Sequence, residues 1–246
     1  MNNELDLLVP AFLAGLLVLA THIPFGMRIL QRGVIFADLA VAQIAGLGVM
    51  AGELLGLLGQ PVLVQLIAAG GALVGAALLA WIERRAPEMK EAAIGLAFVL
   101  AASLGILLLA RDVHAGEHLQ DLLAGQILWV SGVQLLTTAV LTAVLLTLWH
   151  VLRERLGELG FYVLFALAVT ASVQLVGIYL VFASLIVPAL ATHQRRNRYL
   201  PAFAIGIAGY ALGLLLSVWF DLPAGAAIVW ALALTGLAYG FLKPQG

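Results

Sequence analysis

Two histidines in the stretch "ARDVHAGEHLQD" have a spacing that could do metal chemistry. His114 and His118 stand four residues apart, and Glu117 immediately precedes the second. The pattern H-x-x-E-H occurs in zinc enzymes, where two imidazoles hold the ion and a glutamate works as general base. On a helix, His114 and His118 would share one face, because residues four apart are neighbours. Hydrolysis would need more: a third ligand, from Asp112, Asp121 or Asp221, and a pocket that excludes water. Gly116 between the histidines weakens a helix there by about 1 kcal/mol. Three readings follow: a hydrolytic zinc centre, a mouth that attracts a divalent cation, or a loop that is polar because it must stay hydrated.

The rest of the chain narrows that choice. Of its 246 residues, 63% are hydrophobic and only 10% are charged, and the mean hydropathy is +1.10. A soluble domain carries about 25% charged residues, so this composition predicts an all-helical, polytopic membrane protein. The net charge of −1 and the lack of a basic patch give no sign of a nucleic-acid partner. With no cysteine, disulfides and thiolate metal sites are excluded. The acidic start "MNNELDLLVP" is unlike the basic region of a cleavable signal, so the first apolar run reads as a retained span.

Apolar runs long enough to cross a bilayer predict about nine spans, near 7–27, 36–58, 61–82, 92–110, 131–151, 160–178, 180–193, 200–220 and 224–242. The run 160–193 is too long for one span, and Gly177 is the place to divide it. Positive charge supports the division. Arg28, Arg32, Arg84, Arg85, Lys90, Arg153, Arg155, Arg195, Arg196, Arg198 and Lys243 all fall on one side, and of the 12 basic residues only Arg111 falls on the other. By the positive-inside rule the N-terminus is outside and the C-terminus cytoplasmic, and an eight-span chain would misplace the last two clusters. "RDVHAGEHLQD" then lies outside, between spans four and five. Three glycine groups, 46/48/52, 70/71/75 and 206/209/213, have the spacing that lets helices pack closely in lipid. The whole chain, 1–246, reads as a single transmembrane domain.

Ionisable groups inside spans mark functional sites by default. Asp38 opens span two in "RGVIFADLAVAQIAGLG". Gln43 lies about 140° around a regular helix from it, so the two do not share a face. His22, near the inner end of span one beside Pro24, reads as a capping or interfacial histidine. Glu53 reads as an interfacial carboxylate. Gln174 and Tyr179, flanking Gly177, read as interhelical hydrogen-bonding groups.

Five stretches in order carry a resemblance: "PFGMRILQRGVIFADLA", "EAAIGLAF", "DLLAGQILWVS", "LVGIYLVFASLIVPALAT" and "FDLPAGAAIVW". Together they resemble the membrane permease subunits of ABC-type importers of divalent metals (zinc, manganese or iron). The resemblance implies an inner (plasma) membrane homodimer that engages a cytoplasmic ABC ATPase and receives metal from an extracytoplasmic binding protein. The metal is then transported substrate, with no cofactor bound permanently. In the family's second span an Asp is followed four residues later by a His. Here Asp38 matches the Asp, the His position falls on Ala42, and Gln43 is one place off. The cytoplasmic segment "HVLRERLGELG" is shorter than the family's coupling segment.

The expectation is therefore a permease rather than an enzyme. The chain has no Gly-x-x-x-x-Gly-Lys-Ser/Thr phosphate loop, so a separate subunit must hydrolyse ATP. Asp38 and Gln43 are the residues expected along the translocation path. Asp38, His114, Glu117 and His118 are the metal-ligating candidates, the last three at an outer mouth. Arg153, Glu154 and Glu158 are the ATPase-facing candidates. A secondary transporter without an ATPase, or a membrane-embedded metallohydrolase, are the alternatives.

Overall fold

In the computed structural model, the described residues are 2–54, 56, 61–110, 123–152 and 155–242. They form nine α-helices: α1 Asn2–Arg32, α2 Ala37–Leu54, α3 Pro61–Arg85, α4 Lys90–Leu109, α5 Gly132–Leu152, α6 Glu158–Val176, α7 Ile178–Thr192, α8 Tyr199–Phe220 and α9 Ala224–Leu242, with one 3₁₀ turn at Ile127–Trp129. Hydrocarbon offers no hydrogen bonds, so an apolar run must satisfy its backbone internally, and a helix does so within one segment. Seven of these helices are long and apolar enough to cross a membrane, and shorter apolar helices cover 37–52 and 178–191. Each expected span thus has a helix within a few residues of its predicted ends. The largest difference is α1, which continues past residue 27 to Arg32 and carries Pro24 inside it. His22 therefore lies well within the helix rather than near its end.

Contacts divide the chain into two interleaved units. The first comprises Met1–Arg32, Asp121–Leu146 and Ser172–Gly246; the second comprises Gly33–Gln120 and Thr147–Ala171.

In the first unit, one stripe of α1 does most of the packing. Gly15, Leu19, His22 and Gly26 recur at intervals of four, three and four, which keeps them on one helical face. Gly15 abuts the Tyr210 ring, Leu19 packs onto Gly206, and Gly26 meets the backbone of Leu185. On α8, Gly209 and Gly213 let α9 approach through Leu232 and Ile228, and Gly236 of α9 meets Val187 of α7. The buried hydroxyls of Ser184 and Tyr210 are 2.9 Å apart and satisfy each other.

Gly177 separates α6 from α7 with φ +79° and ψ 164°, a conformation essentially restricted to glycine. Its backbone lies against Gly125, itself at φ +68°, and Gly225 lies against the Ala124 carbonyl. Three of the stretches that carry the family resemblance therefore converge on one close-packed point. Gln174 and Tyr179, expected to bond between helices, are instead exposed. The break at Gly177 is held by backbone geometry, without those side chains.

In the second unit, α2 packs on α3 and α4. Gly48 faces the Ile67 carbonyl, Gly71 faces the Ile44 carbonyl, and Gly105 faces Met50. Phe161 anchors an aromatic cluster at the start of α6, with ring centroids 5.7 Å from Trp149, 5.3 Å from Tyr162 and 5.9 Å from Phe165. Elsewhere the helices turn apolar side chains outward: Leu96, Val99, Leu100 and Leu107 of α4, and Val133, Leu136 and Val140 of α5, are exposed. Such faces suit a hydrocarbon solvent.

The glycines give a graded stability test. Gly213→Ala pushes a methyl group into the Ile228 backbone and is expected to lower stability by about 1–3 kcal/mol. Gly177→Ala is expected to cost about 1–3 kcal/mol through its backbone conformation alone. Gly70 has open space around it, so Gly70→Ala is expected to be neutral or stabilising by up to about 1 kcal/mol. Thermal unfolding of the three purified variants in detergent checks the order.

Candidate metal pathway

The backbone makes a sharp turn between α1 and α2 at Gly33, where φ is +65°. The amide of Ala37 then donates to the Val34 carbonyl at 3.1 Å, and the amide of Ala40 to Phe36 at 3.1 Å, which starts α2. Glu91, from the first turn of α4, accepts from the Phe36 amide through Oε1 at 3.1 Å. A carboxylate at this position takes up one of the donors a helix N-terminus leaves unmatched and complements its dipole. The start of α2 is thus fixed from a second helix.

Asp38 is the second residue of α2 and only 1% exposed. Its Oδ1 accepts from the Leu39 amide at 2.8 Å. Its Oδ2 is buried and has no hydrogen-bond partner among the described residues. Burying an ionised carboxylate with one oxygen unmatched costs several kcal/mol unless a cation or a proton meets it. Asp38 is therefore a buried carboxylate fixed through one oxygen and without a partner among the described residues at the other. Gln43, further along α2, is also buried. Both offer oxygen, the ligand type that hard divalent cations take.

His22 of α1 is fully buried. Its Nδ1 lies 2.9 Å from the Val18 carbonyl and 3.0 Å from Thr21 Oγ1, and Thr21 donates to the same carbonyl at 3.1 Å. A carbonyl can only accept, so the ring proton sits on Nδ1. Nε2 is left as a bare lone pair, buried and without a partner among the described residues.

At the ends of helices in the second unit, Glu158 pairs with Arg84 at 2.8 Å, both substantially exposed. Lys90 lies 3.9 Å from Glu83. An exposed pair of this kind contributes about 0–1 kcal/mol. The Arg84 bridge joins the end of α3 to the first turn of α6, beside the short segment expected to face the ATPase.

Of the residues singled out in the sequence, Asp38, Gln43 and Glu158 are placed, and Asp38 and Gln43 share α2. His114, Glu117, His118, Arg153 and Glu154 lie outside the described residues. Among the described residues, no three His, Asp or Glu side chains gather as a metal cage. The structure adds two buried or helix-capping polar groups, Glu91 and His22, to these candidates. Glu91 opens the stretch "EAAIGLAF", and its first-turn acidity was the available signal. His22 was read as interfacial, because the span was expected to end five residues early.

The sequence profile of the ABC 3 transport family matches residues 4–159 and 150–242. A probable iron transport system membrane protein of Haemophilus influenzae is 28% identical over 180 residues, covering 63% of this chain and 66% of the relative. The manganese transport system membrane protein MntC of Halalkalibacterium halodurans is 30% identical over 198 residues, covering 70% of this chain and 68% of the relative. The matched region thus spans about two thirds of these relatives' length. The solved structure of PsaBC from Streptococcus pneumoniae in complex with Fab superposes with a TM-score of 0.76 at 23% identity, over 97% of this chain and 91% of that one, and so shares its fold. With its apolar helices, its shared fold and a profile that spans nearly its full length, the chain is a multi-pass membrane protein of the ABC 3 transport family.

Proposed function

We propose that the chain is the permease subunit of an ABC importer for a divalent metal ion, manganese, iron or zinc, in the inner (plasma) membrane. The observation that carries this reading is the buried carboxylate of Asp38, with Oδ2 unmatched. Intramembrane ionisable groups mark ion pathways, and an open carboxylate is a binding group for a cation in transit. The iron and manganese transport relatives support the same substrate class.

In this reading the whole chain acts as one permease domain, in a homodimer, with its N-terminus outside. A separate cytoplasmic ATPase supplies the energy, and an extracytoplasmic binding protein delivers the ion, so the permease itself catalyses no reaction. Asp38 is the pathway ligand and Gln43 its polar neighbour on α2. Arg153, Glu154 and Glu158 face the ATPase, with Arg84 holding Glu158 in place. His114, Glu117 and His118 draw the cation to the outer mouth.

The test is uptake into proteoliposomes holding the chain and its ATPase, with Mn²⁺, Fe²⁺ and Zn²⁺ supplied in turn. ATP-dependent accumulation of at least one ion is expected. Asp38→Asn should lower the rate at least about tenfold, the size of effect that follows disturbance of a metal's ligand environment. No accumulation of any ion, or equal rates in wild type and D38N, sinks the proposal. If uptake follows an imposed ion gradient and ignores ATP, the chain is a secondary transporter.

The outer mouth has its own test. H114A/H118A should raise the half-saturating metal concentration by up to about tenfold while the maximal rate holds, because local charge and ligands concentrate the ion at an entrance. An unchanged concentration dependence returns that segment to a hydrated loop.

A further inference from the structure

The lone pair on His22 is the group that the permease reading does not yet use. Of the described histidines, His150 and His193 are exposed and His22 alone is buried. It does not sit at a helix end, where an imidazole caps carbonyls. It stands on the α1 stripe between Leu19, which packs on Gly206, and Gly26, which meets Leu185, so its ring points into the interior of the first unit.

Local structure fixes the ring through one nitrogen only. Nδ1–H is held by the Val18 carbonyl at 2.9 Å, to which Thr21 also donates at 3.1 Å. Metal-bound histidines have this arrangement: the distal nitrogen donates to a backbone carbonyl, which fixes the tautomer and raises the basicity of the nitrogen that binds. Were His22 only a core side chain, its second nitrogen would need a donor, because buried polar atoms are nearly always paired. Here Nε2 has none among the described residues.

We propose that His22 Nε2 is a nitrogen ligand for the divalent cation in transit, held ready by the Val18 carbonyl. The inference rests on the metal-permease reading and adds to it a nitrogen donor on α1, within the first unit. Imidazole suits zinc, iron, copper and nickel, binds manganese most weakly of the first-row divalent ions, and is a poor ligand for calcium and magnesium. His22 would therefore help the permease reject the abundant alkaline-earth ions.

The test uses the full chain in complex with its ATPase, on an H114A/H118A background so that no outer imidazole contributes. Mn²⁺ alone is the probe, read by pulsed electron paramagnetic resonance and by equilibrium binding. A directly coupled nitrogen is expected on bound Mn²⁺. His22→Asn separates the two roles of the ring. Its amide can still donate to the Val18 carbonyl, but it has no atom at the place of Nε2. H22N is expected to lose the nitrogen coupling and to weaken Mn²⁺ binding at least about tenfold. It should also narrow the preference for Mn²⁺ over Mg²⁺ in transport. Bound Mn²⁺ without a coupled nitrogen, or H22N indistinguishable from this background, overturns the inference and leaves the Asp38-dependent transport standing. Failure of the wild type to accumulate any metal overturns the transport reading instead. Because His150 and His193 are also present, His22→Gln is measured beside H22N: nitrogen coupling lost in whichever variant folds assigns it to His22, and coupling that persists there overturns the inference.

Discussion

A hydrocarbon solvent provides no hydrogen bonds, and that one constraint orders the whole molecule. It makes every long apolar run a helix, and it makes each buried polar atom an exception that needs a partner. Most exceptions here have one. Ser184 and Tyr210 satisfy each other, Thr192 donates to the Pro188 carbonyl, and Thr235 bonds back to its own helix. Asp38 Oδ2 and His22 Nε2, like Glu91 Oε2, belong to side chains held by one atom and without a partner among the described residues at the other. Such half-satisfied groups are costly to keep in a core, and the permease reading gives Asp38 a cation to meet.

The same solvent gives helices no hydrophobic reason to associate, so close packing has to serve. Glycine supplies it. Gly26, Gly209 and Gly213 bring helices of the first unit to each other's backbone, Gly15 and Gly206 seat the Tyr210 ring and the Leu19 side chain, and Gly48 and Gly71 bring α2 and α3 into backbone contact. The break at Gly177 is part of this scheme. It seats against Gly125, in the segment after residue 122, so an irregular stretch of chain is buried against protein rather than left in lipid. Packing of this kind holds α1 rigid around His22, and the Glu91 carboxylate fixes the start of α2 beside Asp38. Each of these two side chains therefore stands on a firmly held helix of its own unit.

Much of this was legible in the residues. Hydropathy located nine helices because each run is long, apolar and bounded by charge or glycine. Positive charge and Gly177 divided 160–193 where α6 and α7 part. The glycine groups pointed to close packing, although Gly70 turned out to face open space. Asp38 stood out because it is an ionisable group inside an apolar run, although a helix N-terminus also favours a carboxylate there. Other features depend on where side chains point, which composition does not encode. The tautomer of His22 follows from a 2.9 Å approach to a carbonyl one turn back. The capping of α2 by Glu91 links residues 55 apart in sequence. Gln174 and Tyr179 looked like interhelical glue because they are polar and close to the break, yet both face outward.

The central claim is that Asp38 receives a divalent cation within the membrane. Equilibrium binding of radiolabelled Mn²⁺ to the purified chain, wild type against D38N and with the H114A/H118A loop background in both, addresses it most directly. Binding that is retained without the loop histidines and lost in D38N is the predicted result. Binding of equal strength in D38N, in a protein that remains folded, would contradict it.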